Sequence, residues 1–165
     1  MKTARRSTDA VQLASSASLR LDDQLCFALY AATNVITRAY RAPLAKLGLT
    51  YPQYLAMLVL WEHGDQTVKS LAERLDLDSS TITPLVKRLA AAGLVHRSRH
   101  PADQRNLRIE LTGVGHAMRA RAALIQERVA CQTHLGPDEF VALRAQLHRL
   151  VHEMTEERAE LPLCA

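Results

Sequence analysis

The sequence predicts a mainly α-helical fold that carries one small β-hairpin. Apolar residues recur at intervals of three to four in successive segments between residues 21 and 160, which is the spacing of a buried helix face. Capping and helix-ending residues, such as Thr50 and Gly93, lie at the edges of these segments. Only two short segments, LVHRSRH and NLRIELT, alternate like strands, and the turn sequence PADQR joins them.

The first two helices have clear boundaries. The first is expected over about residues 22–46, and Gly48 closes the turn that follows it. Thr50 and Gln53 fit a capping box, in which each side chain bonds to the backbone of the other residue. The second helix therefore starts after Thr50, and it stops at Gly64.

A helix-turn-helix followed by a β-wing is expected in the middle of the chain. The segment TVKSLAERLDL predicts a short helix in which Leu71, Leu75 and Leu77 face inward. Asp78 or the serines after it can cap the next helix, which ends at Gly93. The hairpin follows immediately and supplies the wing.

Two long amphipathic helices follow the hairpin. Thr112 can cap the first, and Gly136 separates it from the second. Little of one protomer remains to cover their apolar faces, so we expect these faces to pack against a second copy. An all-helical bundle that packs on itself is the alternative. The apolar positions at helical spacing are Val114, Met118, Ala122, Ile125 and Val129 in the first helix and Phe140, Leu143, Leu147, Leu150 and Met154 in the second.

Positive charge is concentrated around the hairpin. The chain of 165 residues has a net charge of +4 and a pI of about 9.2. From Lys87 to Arg108, six basic residues stand against one acid, Asp103, so this segment alone carries +5. Such a concentration predicts a phosphate-binding surface, although a solvated helix and loop would have the same composition.

Composition excludes several other classes of protein. No apolar run reaches the ~18 residues of a membrane span, and no apolar signal core follows the basic N-terminus. Cys26, Cys131 and Cys164 neither cluster nor form a CxxC motif, which argues against a disulfide scaffold and a structural zinc site. We therefore expect a cytoplasmic protein that binds no metal, no cofactor and no membrane.

The helix that ends at Gly93 and the hairpin carry the residues that we expect to bind DNA. Small hydroxyl residues stand at the helix start, where amides favour a phosphate and short side chains reach base edges. In the wing, Asp103 can direct Arg105 into a minor groove, or the pair only fixes the turn. The candidate DNA-binding residues are Ser79, Ser80, Thr81, Thr83, Pro84, Lys87, Arg88, Arg97, Arg99, Asp103 and Arg105.

The expected domain organisation follows from these elements. A winged helix-turn-helix lobe that binds DNA spans residues 48–112. A helical dimerisation region comprises residues 21–47 and 113–160. Residues 1–20 form a mobile basic tail, and residues 161–165 form a second short tail.

Several motifs resemble one known family. The wing pattern Asp103-Gln104-Arg105, followed by Leu111-Thr112, resembles that of the MarR-type winged-helix repressors. The segments LDDQLCFALYA, LGLTYPQYLAMLVLWE and LDSSTITPLVKRL resemble the organic-hydroperoxide sensors of that family, the OhrR subgroup. The 105-residue separation of Cys26 and Cys131 resembles the two-cysteine form of that subgroup. The resemblance implies a homodimer on a palindromic double-stranded operator. It also implies that residues 79–88 form the helix in the major groove and that Arg105 enters the minor groove.

Cys26 raises a question about how a thiolate is held. A helix N-terminus favours a thiolate by ~0.3–1 kcal/mol, but Asp22 and Asp23 oppose it. Tyrosine hydroxyls are suitable donors. Tyr40 lies fourteen residues along the same helix, about 20 Å away, so it can serve Cys26 only from another subunit.

The resemblance supplies an arrangement that meets this condition. It implies that the partner subunit's Tyr40 and the partner subunit's Tyr51 hydrogen-bond the Cys26 thiolate, while Tyr30 and Phe27 line the same pocket. On spacing alone, an aromatic belt in a dimer core explains the clustered aromatics equally well.

The expected chemistry begins with an organic hydroperoxide that oxidises Cys26 to a sulfenic acid. The resemblance implies that Cys131 then resolves it as a disulfide between subunits, although a buried small hydrophobe is the alternative for this cysteine. Closing the bridge would shift helices that flank the DNA-reading lobe and release the operator.

Three other functions stay open at this stage, while the sequence favours a regulator over an enzyme. A repressor of this type can instead be induced by an aromatic ligand that binds without redox chemistry. A thiol peroxidase would turn over with a reductant, but it has no use for a basic wing. A metal sensor would use His148 and His152, which are spaced i, i+4 on the last helix.

Overall fold

The computed structural model describes residues 19–100 and 103–160, so most of the predicted N-terminal tail and all of the C-terminal tail lie outside it. Its described part confirms a mainly helical fold with a small antiparallel sheet. The helices are α1 (Leu25–Ala45), α2 (Tyr51–His63), α3 (Val68–Leu75), α4 (Ser79–Ala91), α5 (Gly113–Cys131) and α6 (Pro137–Glu160). The strands are β1 (Gln66–Thr67), β2 (Val95–His100) and β3 (Asp103–Leu111).

The helix boundaries follow local sequence signals. A short 3₁₀ turn at Leu21–Asp23 precedes α1, so the regular helix begins three residues later than the sequence predicts. The predicted capping box at the start of α2 is confirmed, and the Thr50 N–H donates to the Gln53 side-chain oxygen at 2.8 Å. Gly64 ends that helix with φ +70°, a conformation that glycine adopts without steric cost.

The sheet has the order β1–β3–β2, and both pairs are antiparallel. The predicted hairpin is confirmed, with Val95 opposite Leu111 and an irregularity after Arg99. β3 begins at Asp103, inside the segment that the sequence predicts as a turn. The sequence did not predict β1, because a strand of two residues has no alternation to detect.

The core lies in the winged lobe and extends to the ends of α1 and α5. Leu77 is 38% exposed, so its predicted inward position is wrong. It follows Asp76, which is in the left-handed conformation at φ +51° and turns the chain out of α3. Val114 in the first turn of α5 is also exposed. The largest fully buried side chains are Tyr54, Leu44, Met57, Leu60, Leu71, Ile82, Leu89, Ile109 and Val86.

The outer helices keep much of their apolar surface uncovered. No side chain described in α6 is buried, although the helix has 24 residues. Within the described residues, no helix is both long and apolar enough to cross a membrane. The exposed large apolar residues of α1 and α6 include Leu25, Val35, Ile36, Val141, Leu143, Leu147, Val151 and Met154.

A tight junction connects the lobe to α5. Thr112 caps α5, as the sequence predicts, by accepting the Gly115 N–H at 3.0 Å. The Thr112 hydroxyl donates to the Gly93 carbonyl at 2.7 Å, and the Trp61 indole N–H donates to the Gly115 carbonyl at 2.9 Å. A Cβ at Gly115 would overlap the Leu94 carbonyl oxygen. The start of α5 is therefore fixed against α2 and the end of α4.

Candidate DNA-binding surface and thiol site

The turn between α3 and α4 builds a helix-turn-helix. The Leu77 N–H donates back to the Ala72 carbonyl at 3.0 Å and closes the end of α3. Asp78 then precedes α4, and its carbonyl accepts the N–H groups of Thr81 and Ile82 at 2.9 and 3.1 Å. The Asp78 side chain makes no capping hydrogen bond, so the first amides of α4 are not blocked by it.

One face of α4 is buried and the other is open. The buried residues are Ile82, Leu85, Val86 and Leu89. The exposed ones are Ser79, Ser80, Thr81, Pro84, Lys87 and Arg88. Thr83 is half-buried, and its hydroxyl donates to the Ser79 carbonyl at 2.8 Å, so this predicted site residue is engaged within the helix. Lys87 and Arg88, toward the C-terminal end of the helix, form no ion pair within the described residues, which leaves two cations on its exposed face.

The basic residues of the wing differ in whether they form ion pairs. Arg97 is exposed and makes no ion pair within the described residues. The Arg108 guanidinium instead binds Asp65 and lies 3.1 Å from Glu110. The hydrogen bond and charge of Asp65 raise the pKa of Arg108 above its ordinary value. Arg108 therefore anchors β3 to the loop before β1 instead of adding to the basic surface. The side chains of Arg99, Asp103 and Arg105 lie outside the described part.

Both candidate redox thiols are accessible in the protomer. Cys26 is the second residue of α1, directly after the acidic 3₁₀ turn, and it is exposed. Cys131 is the last residue of α5 and is also exposed and free. A buried, purely structural role for Cys131 is therefore wrong for the protomer.

Three tyrosines of α1 and α2 pack together at the far end of α1 from Cys26. The ring centroids of Tyr40 and Tyr51 are 5.2 Å apart, and those of Tyr40 and Tyr54 are 5.5 Å apart. We call Tyr40, Tyr51 and Tyr54 the tyrosine cluster. Tyr54, which is 2% exposed, is not among the residues predicted for the thiol pocket; its i, i+3 spacing from Tyr51 on one helix was the available signal.

The tyrosine cluster stays protonated well above neutral pH. Burial raises the pKa of Tyr51, and burial together with Tyr51 raises the pKa of Tyr40. Burial and the two neighbouring rings raise the pKa of Tyr54 to about 12. Because a phenol donates only while protonated, Tyr40 and Tyr51, which are half-buried, can donate hydrogen bonds at neutral pH.

Cys26 cannot reach this cluster within its own protomer. α1 is continuous from Leu25 to Ala45, and at ~1.5 Å per residue the fourteen positions from Cys26 to Tyr40 span about 21 Å. Tyr30 is exposed and Phe27 is half-buried, and within the described protomer neither ring contacts the cluster. The predicted pocket residues thus occupy two separate places, with Phe27 and Tyr30 near the start of α1 and Tyr40 and Tyr51 in the tyrosine cluster.

Two cavities adjoin the cluster and share Tyr51. One, of about 390 Å³, is lined by all three tyrosines together with Ile36, Leu58 and Phe140. The other has a volume of about 500 Å³, and we call it the arginine cavity. Its lining includes Asn34, Thr37, Arg38, Arg41, Leu49, Thr50 and Tyr51.

The histidine pair of α6, His148 and His152, belongs to no larger cluster of metal ligands within the described residues. His152 Nε2 lies 3.6 Å from the Glu156 carboxylate, and both side chains are well exposed. No group of three or more potential metal ligands occurs in the part of the chain that the structure describes. The metal-sensor alternative therefore gains no support from the described residues.

Comparisons with known proteins agree with this architecture. The MarR family model matches residues 49–107, which span the helix-turn-helix and most of the wing. The organic hydroperoxide resistance transcriptional regulator of Bacillus subtilis is 38% identical over 139 residues, covering 84% of this chain and 95% of that protein. The regulator TtmR of Methylorubrum extorquens is 46% identical over 134 residues, covering 81% of this chain and 69% of that protein.

Solved structures of a third relative match over a similar range. AbfR of Staphylococcus epidermidis is 35% identical, with a TM-score of 0.71 and coverage of 84% of this chain and 95% of that one. AbfR has also been solved reduced and bound to DNA (TM-score 0.68), and with a disulfide formed (TM-score 0.61). A helix-turn-helix with a β-wing, and a relative that is 38% identical and covered over 95% of its length, lead to one conclusion: the chain belongs to the MarR family of transcriptional regulators.

Proposed function

We propose that this regulator represses transcription as a homodimer on palindromic operator DNA and releases the DNA when an organic hydroperoxide oxidises Cys26. The observation that carries the proposal is the separation of about 21 Å between Cys26 and Tyr40 on one continuous helix. A thiol held by these tyrosines needs two subunits, so sensing and dimerisation share one interface.

DNA binding relies on the open face of α4 and on the wing. The exposed hydroxyl residues at the start of α4 enter the major groove, and Lys87, Arg88 and Arg97 contact phosphates. Asp103 and Arg105 at the wing tip complete the contact from the minor groove. Support comes from the exposure of the α4 residues and from AbfR, a relative solved on DNA.

The thiol site forms where α1 of one subunit meets the cluster of the other. The partner subunit's Tyr40 and the partner subunit's Tyr51 donate hydrogen bonds to the Cys26 thiolate and offset the repulsion from Asp22 and Asp23. Phe27 and Tyr30 add apolar lining, which favours alkyl hydroperoxides over hydrogen peroxide. The uncovered apolar faces of α1 and α6 support such a dimer, because exposed patches of this kind usually mark an interface.

The reaction is a two-electron oxidation of sulfur. The Cys26 thiolate attacks the distal oxygen of the hydroperoxide, an S–O bond forms, and the O–O bond breaks. The alkoxide leaves and takes a proton to become an alcohol, and Cys26 is left as a sulfenic acid. The Cys131 thiolate of the partner then attacks this sulfur, an S–S bond forms, and hydroxide leaves as water.

The signal reaches DNA through α5. Cys131 lies at the C-terminal end of this helix, and the start of the helix is fixed to the lobe by Thr112, Gly115 and Trp61. Drawing the end of α5 towards the partner's thiol therefore moves the lobe with it. A rotation of each lobe changes the spacing of the two α4 helices, which must match the half-site spacing of the operator.

Non-reducing electrophoresis and an operator gel shift, run together on the wild type, Cys26→Ser and Cys131→Ser, test this proposal. With cumene hydroperoxide, we expect a linked dimer and DNA release for the wild type, and no link for either variant. Cys26→Ser stays on the operator, and Cys164→Ser serves as a matched control that behaves like the wild type. Full operator binding by the disulfide-linked dimer would refute the release step.

A second candidate function is induction by an aromatic ligand without redox chemistry. The cavity of about 390 Å³ lined by three tyrosines favours it, because aromatic side chains in a cavity suit an aromatic ring. In that case a phenolic inducer releases Cys26→Ser from the operator as readily as it releases the wild type.

A thiol peroxidase, by contrast, would consume many equivalents of hydroperoxide per thiol in the presence of a reductant.

A further inference from the structure

The arginine cavity is rich in hydrogen-bond donors and has no acidic residue in its lining. Arg38 and Arg41 stand one turn apart on α1, and Asn34 and Tyr51 add an amide and a phenol. Burial raises the pKa of Tyr51, so its hydroxyl remains a donor at neutral pH. Donors that converge on one cavity are suited to an anion.

The two arginines have no carboxylate partner among the residues that the structure describes. The sequence contains no Asp or Glu between Asp23 and Glu62, and Arg38 and Arg41 make no ion pair within the described residues. Both guanidinium groups are exposed and available to a ligand.

Tyr51 connects this cavity to the chemistry proposed above. Its ring lines both the arginine cavity and the cavity of the tyrosine cluster. In the proposed dimer its hydroxyl donates to the partner's reactive sulfur. A hydroperoxide whose –OOH group lies at that sulfur therefore has the rest of its structure within reach of the arginine cavity.

We propose that Arg38 and Arg41 bind the carboxylate of the inducer, so that the preferred inducers are hydroperoxides of ionised carboxylic acids, such as fatty acids. Paired guanidinium groups match a carboxylate, and Ala45 and Leu49 in the same cavity contact the adjoining aliphatic chain. The inference rests on the proposed function, because it assigns a substrate class to that thiol site. Esters and uncharged hydroperoxides cannot form this charged pair.

The test compares linoleic acid hydroperoxide with its methyl ester, which differs at the carboxyl group alone. We measure the rate constant for loss of the Cys26 thiol in the full-length Cys131→Ser protein. We expect the acid to react about tenfold faster than the ester, since a charge-assisted contact contributes that much. Replacing both arginines, Arg38→Gln with Arg41→Gln, lowers the ratio of the two rates to about one.

A matched control separates a local contact from general electrostatic steering. Arg119→Gln with Arg121→Gln removes the same charge from exposed positions of α5 and keeps the tenfold ratio. Retained operator binding shows that each variant is folded.

Equal rates for the acid and the ester in the protein that keeps both arginines would overturn the inference while leaving the redox proposal intact. So would an equal slowing of both substrates by the double replacement. A Cys26 that reacts with no hydroperoxide would overturn the redox proposal itself.

Discussion

Gly115 shows how much one residue controls at the junction between lobe and α5. Its N–H donates a hydrogen bond to the Thr112 hydroxyl, and its carbonyl accepts one from the Trp61 indole N–H. Because it has no side chain, the Leu94 carbonyl oxygen can approach closely. A glycine inside a helix ordinarily destabilises it, because glycine loses more conformational freedom on folding than other residues do. The structure gives it the opposite role, since no larger residue fits there.

The Gly115→Ala substitution should therefore destabilise the protein strongly. The added methyl group overlaps a backbone oxygen that cannot move without breaking the junction, and we expect a loss of roughly 2–4 kcal/mol in the free energy of unfolding. Gly113→Ala is the matched control, because a Cβ there meets no atom within 4 Å. It should be neutral or slightly stabilising. Urea denaturation followed by circular dichroism measures both; similar losses would contradict the role of the close approach.

At the scale of elements, the arginines of the wing differ in whether they have an acidic partner. Arg108 of β3 is neutralised by Asp65 and Glu110, whereas Arg97 of β2 has no ion-pair partner within the described residues. A count of basic residues along the sequence includes both equally. The pairing across β1 and β3 therefore decides which cations remain for phosphate.

Arg97→Gln should weaken operator binding in a salt-dependent way. Removing one phosphate contact changes the slope of log K against log salt by ~0.9, and the substitution removes one from each subunit of the dimer. Arg108→Gln should change this slope less, because its guanidinium is already neutralised by two carboxylates. Fluorescence anisotropy of labelled operator between about 50 and 200 mM salt provides the measurement. Equal slope changes for the two variants would show that Arg108 also contacts DNA.

For the whole molecule, the lobe carries the core and the outer helices carry the uncovered surface. Val151 is 61% exposed and Met154 is 65% exposed, on the same face of α6 as Leu147. An apolar face of this length is unusual for a monomer. It is the surface that the proposed dimer buries.

Val151→Glu should dissociate the proposed dimer, because a buried carboxylate without a partner is costly at an interface. Ala145→Glu introduces the same charge on the opposite, exposed face of α6 and serves as the control. Sedimentation equilibrium should give a monomer for Val151→Glu and a dimer for the control. Operator affinity should fall only for Val151→Glu, since a monomer contacts one half-site. A dimeric Val151→Glu protein would place the interface elsewhere.

The sequence by itself determined the elements, because their signals are local. The Thr50–Gln53 capping box, the Thr112 cap and the glycines at 64 and 93 each act within a few residues. Apolar residues alternate with polar ones in the hairpin but recur every three to four residues in the helices, and this difference distinguished the two. The candidate thiols and the candidate DNA-binding helix followed from their positions along these elements.

Tertiary structure alone decided which of these residues meet. Arg108 forms an ion pair with Asp65, which lies 43 positions away in the sequence, and Trp61 donates a hydrogen bond to Gly115, which lies 54 positions away. The addition of Tyr54 to the tyrosine cluster and the exposure of Leu77 and Cys131 also depend on packing. No local pattern encodes such contacts, because they arise only when elements distant in sequence bury their surfaces against each other.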